Sequence, residues 1–217
     1  LTFSNSGIGP YTWYSITVAF DGGTTGYSNY ALEFDGNDDR VSLPNSVNMG
    51  TSDFTISIRF KTDAIGSRQQ VFQQTGDNAN RVIAINNDGV IASQLGATSS
   101  ESGFTVSTNT WYHVVLVHDD SENTLKWYVD GTAKNTNTSV NIGSNTGIFK
   151  LGTNSGSNDK WFDGQMDELR IWSAALAEAQ IPGDSGTDSI LIGNESNLVA
   201  YYRFDKYDGT TIEDLTS

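Results

Sequence analysis

Residues 54–60 read Phe54-Thr55-Ile56-Ser57-Ile58-Arg59-Phe60, apolar side chains alternating with polar ones. A strand turns successive side chains to opposite faces, so this run gathers its apolar residues on one face and Thr, Ser and Arg on the other. The same alternation recurs at 31–34, 40–43, 82–85, 104–106, 111–117, 125–129, 149–151, 165–172 and 198–204. Between these runs lie Gly, Asn, Asp and Ser clusters, among them Asn87-Asp88-Gly89 and Asp130-Gly131, which favour tight turns. Many short strands at regular spacing predict an all-β sandwich or jelly roll. One stretch departs from it. Ser173-Ala-Ala-Leu-Ala-Glu-Ala-Gln-Ile181 is rich in helix formers, opens on a potential capping Ser and stops before Pro182-Gly183, so it predicts a short helix near the C-terminal end. Trp111 and Trp127 fall in alternating strands and are expected in the core.

No composition shift divides the 217 residues, so one domain is expected over 1–217. Its recognisable core is 31–181, its last strand 198–204, and residues 1–30 are either early strands or an extension. With 12 Lys+Arg against 26 Asp+Glu the chain carries a formal charge of −14, which speaks against nucleic acid and against an anionic membrane surface. No apolar run is long enough to span a bilayer, so no membrane insertion is expected. The opening Leu1-Thr-Phe-Ser4 shows neither a basic nor an apolar leader segment, as expected if a signal peptide is absent or removed. There is no Cys and there are only two His, which excludes disulfides, thiol nucleophiles and His-rich metal sites. A hard cation held by oxygen ligands remains possible.

Five ordered segments carry a family resemblance. They are Ala31-Leu-Glu-Phe-Asp-Gly-Asn-Asp-Asp-Arg-Val41, Asp53–Ile58, Thr110–Val117 followed by Leu125–Gly131, Phe162-Asp-Gly-Gln-Met-Asp-Glu-Leu-Arg-Ile-Trp172, and Ser173–Leu176 with Ile181. In this order they resemble bacterial laminin-G-like domains of the concanavalin A-like jelly-roll class, and are similar to the pentraxins. The resemblance implies two antiparallel sheets, an extracellular or cell-surface location, frequent calcium, and binding of glycan or protein rather than chemistry.

Two constellations are candidate sites. Asp35, Asp38 and Asp39 cluster near one end of the domain, and Asp167 and Glu168 sit on the closing strand. A carboxylate among apolar neighbours needs a cation, an Arg or backbone amides. A structural calcium shared by Asp35, Asp38 and Asp167 is one reading; the other is that Asp167 bonds turn amides while Glu168 pairs with Arg170. The second constellation is loop-borne: Asp77, Asn78 and Asn80 after one strand, and Asn154 and Asp159 before Trp161. In pentraxins the corresponding loops hold calcium that binds the ligand, which makes Asp77 and Asp159 metal candidates. The run after Leu151-Gly152 lacks the acidic residues of that pattern, leaving room for one ion at most. Trp161 sits in a polar loop, where an indole can stack on a sugar face while amides bond its hydroxyls; the alternative is a rim residue closing the core.

No catalytic arrangement stands out. Asp167 and Glu168 are adjacent, so regular alternation turns them to opposite faces, a poor pair for glycoside cleavage. His113 lies within a strand and reads as structural. The expected function is a non-catalytic, calcium-assisted, lectin-like module that binds glycan or polysaccharide. A protein-binding adhesion domain, binding a cell-surface protein without a sugar site, is the alternative. A divergent polysaccharide-cleaving enzyme is the least favoured.

Overall fold

The computed structural model describes residues 2–3, 16–20, 30–43, 52–74, 81–95, 98–140, 142, 147–154, 160–181, 191–205 and 212–216. Fifteen strands run through them: β1 (Thr2–Phe3), β2 (Ile16–Phe20), β3 (Tyr30–Asp35), β4 (Val41–Ser42), β5 (Phe54–Thr62), β6 (Gln69–Gln74), β7 (Arg81–Ile85), β8 (Val90–Leu95), β9 (Thr98–Thr105), β10 (Trp111–Asp119), β11 (Thr124–Val129), β12 (Thr132–Thr138), β13 (Phe149–Leu151), β14 (Asp163–Trp172) and β15 (Leu198–Tyr202). One nine-stranded sheet has the order β1-β2-β3-β14-β5-β10-β11-β12, with β15 added against β14. The six-stranded sheet has the order β4-β13-β6-β7-β8-β9. Every pairing is antiparallel, as the jelly-roll expectation requires.

The alternation read at 54–60 works as expected: Phe54, Ile56, Ile58 and Phe60 are fully buried between the sheets. Val114 and Leu116 of β10 and Leu125, Trp127 and Val129 of β11 join them, facing Phe72, Ile83, Ile85, Ile91, Phe149 and Leu151 of the smaller sheet. The Trp127 indole N–H crosses the sandwich to donate to the Ser100 hydroxyl at 2.8 Å. Asp130 and Gly131 have φ of +50° and +70°, the paired left-handed turn that this dipeptide favours between two strands.

Two expectations change, and for residues 1–30 one of the two open alternatives is found. Trp111 is not a core residue. It shares the outward parity of His113 and Val115 on β10 and lies half-buried under the guanidinium of Arg59, 5.0 Å from its ring centroid. The short helix over 173–181 is a single 3-10 turn, Glu178–Gln180. Tertiary bonds take up the backbone that a helix would use. The Thr55 hydroxyl donates to the Ala174 carbonyl and accepts from the Leu176 amide, while the Ser173 amide donates to the Asn197 carbonyl. Ala175 and Ile181 of this segment cap an outer apolar patch of Val115, Val117 and Tyr128. Finally, the described part of residues 1–30 supplies β1 and β2, which extend the larger sheet beyond β3.

Candidate functional site

A groove of about 450 Å³ opens on the six-stranded sheet. Its lining is almost wholly polar: Gln70, Gln73, Asn86, Gln94, Ser93 and Ser99 surround the two apolar residues Val82 and Ala92, with Arg68, Glu101, Asn154 and Lys160 among the others. A bulge in β6 explains how Gln70 and Gln73 both reach it. The register slips between Gln70 and Phe72, so Val71 and Phe72 both enter the core and the flanking amides turn outward. Across the groove the Arg68 guanidinium donates to Asn86 Oδ1, and Asn86 Nδ2 donates to Glu101 Oε1 at 2.9 Å. Two buried polar atoms on the lining have no hydrogen-bond partner among the described residues, Gln70 Oε1 and Ser93 Oγ. Buried polar atoms without partners cost free energy, and since Gln70 turns outward while Ser93 shares the inward parity of Ile91, a ligand hydroxyl in the groove would satisfy Gln70 Oε1.

Of the loop residues singled out in the sequence, Asn154 lines this groove. Trp161 is half-buried and follows groove-lining Lys160, whose carbonyl accepts from the Gln70 amide at 2.9 Å. Asp77, Asn78, Asn80 and Asp159 lie outside the described residues. The described anchors of their loops stand at opposite ends of β6. Gln74 and Arg81 face each other at one end, and Gly152 and Lys160 bond Val71 and Gln70 at the other. Sequence reasoning missed Gln70, Gln73 and Gln94, because nothing in a run such as Gln-Gln-Val-Phe-Gln-Gln announces which face its amides take.

The acidic cluster assembles in part. Carboxylate oxygens of Asp35, Asp38 and Asp39 lie within 4.8 Å of one another. The loop is held by Asn37, whose amide donates to Asp35 Oδ1 at 2.9 Å, and by the Gly36 amide, which donates to the Phe162 carbonyl. Asp39 is 5% exposed; its Oδ2 accepts from the Asp35 amide at 2.9 Å and its Oδ1 has no partner among the described residues. Burial pushes the Asp39 carboxyl up to about 7, against the Asp35 amide bond and with help from the charges of Asp35, Asp38 and Glu33. Gly152 packs over this point: a Cβ there would meet the Phe34 ring at 2.5 Å and the Asp39 carbonyl at 2.9 Å.

Asp167 does not join that cluster. The β14 residue in register with Asp35 is Asp163, four positions earlier, while Asp167 pairs with Arg59 at 3.4 Å. The expected set of Asp35, Asp38 and Asp167 is therefore split by the register of β14. The expected opposition of Asp167 and Glu168 also fails. Asp167 faces Arg59 but Arg170 faces Ser57, so β14 carries one extra residue here, and Glu168 takes φ +49°. Met166, Leu169 and Ile171 consequently all enter the core, and Asp167 and Glu168 both turn to the outer face of the larger sheet. There Glu168 Oε2 accepts from Arg170 Nη2 at 2.7 Å and from the Tyr201 hydroxyl at 2.8 Å, with Arg203 Nε 3.4 Å from Oε1. His113 is buried beside this network with Nε2 2.6 Å from Ser57 Oγ, a structural position as the sequence indicates.

Burial raises the Asp167 carboxyl well above the carboxylate range, and the Glu168 charge adds to the rise while Arg59 opposes it. The folded chain therefore holds this proton at pH values where the unfolded chain, titrating near 3.8, has lost it. Stability falls as pH rises from about 4 toward neutral, because the native state binds more protons in that window. Thermal melts at pH 5 and pH 8 check this: Asp167→Asn is expected to show a smaller drop between them than the parent chain.

A family model described as the concanavalin A-like lectin/glucanases superfamily, Laminin_G_3, matches residues 35–182. A search of curated protein sequences gives no match. Among solved structures, a Bacteroides ovatus protein assigned to carbohydrate binding superimposes with a TM-score of 0.63 at 22% identity, over 95% of this chain and 53% of that one. This chain thus spans about half the length of that relative. Domain 4 of the extracellular GH43 arabinanase AbnA from Geobacillus stearothermophilus, solved with arabinotriose, gives 0.59 at 22% identity, over 77% of this chain and 86% of that one. A heptameric SAP-like pentraxin from Limulus polyphemus gives 0.54 at 18% identity, covering 68% and 77% of the respective chains. At such identities the likeness is one of fold. With two stacked antiparallel sheets in jelly-roll order and a family model that spans residues 35–182, the chain belongs to the concanavalin A-like lectin/glucanases superfamily, among its laminin-G-like members.

Proposed function

We propose that this chain is a non-catalytic, calcium-assisted carbohydrate-binding module of a secreted or cell-surface protein, holding glycan or polysaccharide in the groove of the six-stranded sheet. The observation that carries this reading is the groove itself, an amide-rich lining in which Gln70 Oε1 is buried without a partner among the described residues. Sugars present many hydroxyls that both donate and accept, and amide side chains answer both roles. Trp161, half-buried beside Lys160, offers a ring for stacking on a sugar face. The solved relatives of this fold include one bound to arabinotriose and one assigned to carbohydrate binding, which supports the ligand class. The non-catalytic part rests on the carboxylates: Asp167 and Glu168 share a face, yet each is 5% exposed and engaged by arginine.

A glycan array probed with calcium and again with chelator tests the reading, followed by calorimetry on the oligosaccharides retained. Gln70→Ala and Gln94→Ala are each expected to weaken binding about tenfold or more, equivalent to about 1.4 kcal/mol. Trp161→Ala is expected to weaken it by a similar factor. Natively folded protein that ignores every glycan overturns the proposal. Capture of a protein partner, unaffected by Gln70→Ala and Trp161→Ala, favours an adhesion domain instead. New reducing ends in a polysaccharide incubation overturn the non-catalytic part.

A further inference from the structure

We infer that Asp35, Asp38 and Asp39 form a site for a hard divalent cation of the calcium class, with Asp39 as its buried anchor. This places the cation of the preceding proposal and rests on its calcium part alone, not on its sugar part. Three carboxylates whose oxygens approach within 4.8 Å repel one another when ionised, and a cation between them offsets that repulsion. Proximity alone is common on acidic surfaces; the burial of Asp39 is not. Its Oδ2 is used by the Asp35 amide, while Oδ1 is enclosed without any donor among the described residues. A cation reached from the exposed side, where Asp35 and Asp38 lie, supplies the missing counterpart.

The surroundings fit an oxygen-ligated ion. No Cys occurs in the chain, and the clustered donors are all carboxylates, which selects calcium or magnesium over softer metals. Asp163, the register partner of Asp35, lies close enough that a Cβ on Gly36 would touch its Cβ at 3.0 Å, and it adds negative potential to the same corner. The backbone is already set, since Asn37 bonds both the carbonyl and the carboxylate of Asp35. Exposed Asp35 and Asp38 leave room for water ligands, which suits the six to eight oxygens that calcium takes. A cation here would tie the exit of β3 to the start of β14 through Gly36 and Phe162.

The test uses the full chain, stripped with chelator and titrated with calcium chloride in the absence of sugar. Calorimetry is expected to show one site, and a hundredfold excess over Kd is expected to raise the melting temperature by about 5–10 °C. The isosteric Asp39→Asn is expected to weaken calcium binding at least tenfold and to remove most of that rise. Asp38→Ala, at an exposed position, is expected to weaken binding as well, and it decides the matter if Asp39→Asn does not fold. Absence of heat and of any melting shift in the parent chain overturns the inference. So does calcium binding that survives both variants, or that is lost in Asp77→Ala while Asp39→Asn retains it. Glycan binding is scored separately, so calcium binding without glycan recognition sinks only the sugar reading.

Discussion

Glu168→Ala is expected to lower the stability of the chain by about 3–5 kcal/mol, the cost of leaving a buried cation without its partner. Glu168 receives Arg170 at 2.7 Å and the Tyr201 hydroxyl at 2.8 Å, and Arg170 is itself 1% exposed. Removing the carboxylate strands a guanidinium that cannot shed its proton and cannot reach water. For a chain of this length the loss corresponds to about 10 °C in melting temperature. Thermal and urea unfolding of Glu168→Ala, Arg170→Met and the double variant Glu168→Leu/Arg170→Met measure it. The double variant is expected to recover much of the loss, since replacing a buried pair by apolar groups of similar volume is often neutral or better. Single variants within about 1 kcal/mol of the parent chain would show the pair to be incidental.

Ending the chain after residue 190 is expected to have a still larger effect, the loss of cooperative folding. Strand β15 pairs with Leu169–Trp172 of β14, along the same edge on which β3 pairs with Asp163–Met166. Without it, four positions of β14 lose their ladder, core-lining Leu169 and Ile171 among them, and Tyr202 leaves the interior. Glu168 loses Tyr201 and Arg203 in the same step. Residues 212–216 go as well, and with them the Tyr201 amide's bond to Asp214 Oδ1 and the Leu215 amide's bond to the Tyr201 carbonyl, which hold the far edge of β15. The family match ends at residue 182, short of this strand, so the shortened chain would contain all of the matched segment. Circular dichroism and size exclusion check the outcome; a truncated chain that melts in one sharp transition near the parent temperature would contradict it.

Strand existence was legible wherever one face is apolar and the other polar. Phe54–Phe60 and Leu125–Val129 place their side chains as alternation dictates. Strand β12 escaped because its sequence Thr-Ala-Lys-Asn-Thr-Asn-Thr has no apolar face to report, and it lies exposed at the sheet edge. Strand β8 escaped because Ser93 shares the inward parity of Ile91, which hides the pattern. Bulges were illegible for a different reason. The extra residue at Glu168 is fixed by pairing with β5, a strand more than a hundred positions away, and it reverses the face of everything before it. The 173–181 segment shows local propensity overruled by Thr55, again a distant partner. The acidic corner was visible as a cluster, but the burial of Asp39 and the substitution of Asp163 for Asp167 beside Asp35 depend on register. The groove draws on β6, β8, β9 and residues around 154–160 together, and no single run of sequence displays it.

The end-to-end arrangement of β3 and β15 on one edge of β14 has a mechanical consequence. Tension applied to the chain beyond Asp205 acts on the short β15 ladder, while β3 is gripped separately by β2 and the first half of β14. The strand nearest the pull is thus the one that shields Glu168 and Arg170. Once it peels away, the charged pair meets water and the interior loses Ala200 and Tyr202. In a protein tethered through this end, the pull would load the Asp214 and Leu215 bonds to Tyr201 together with the five residues of β15 before it reached the rest of the sandwich.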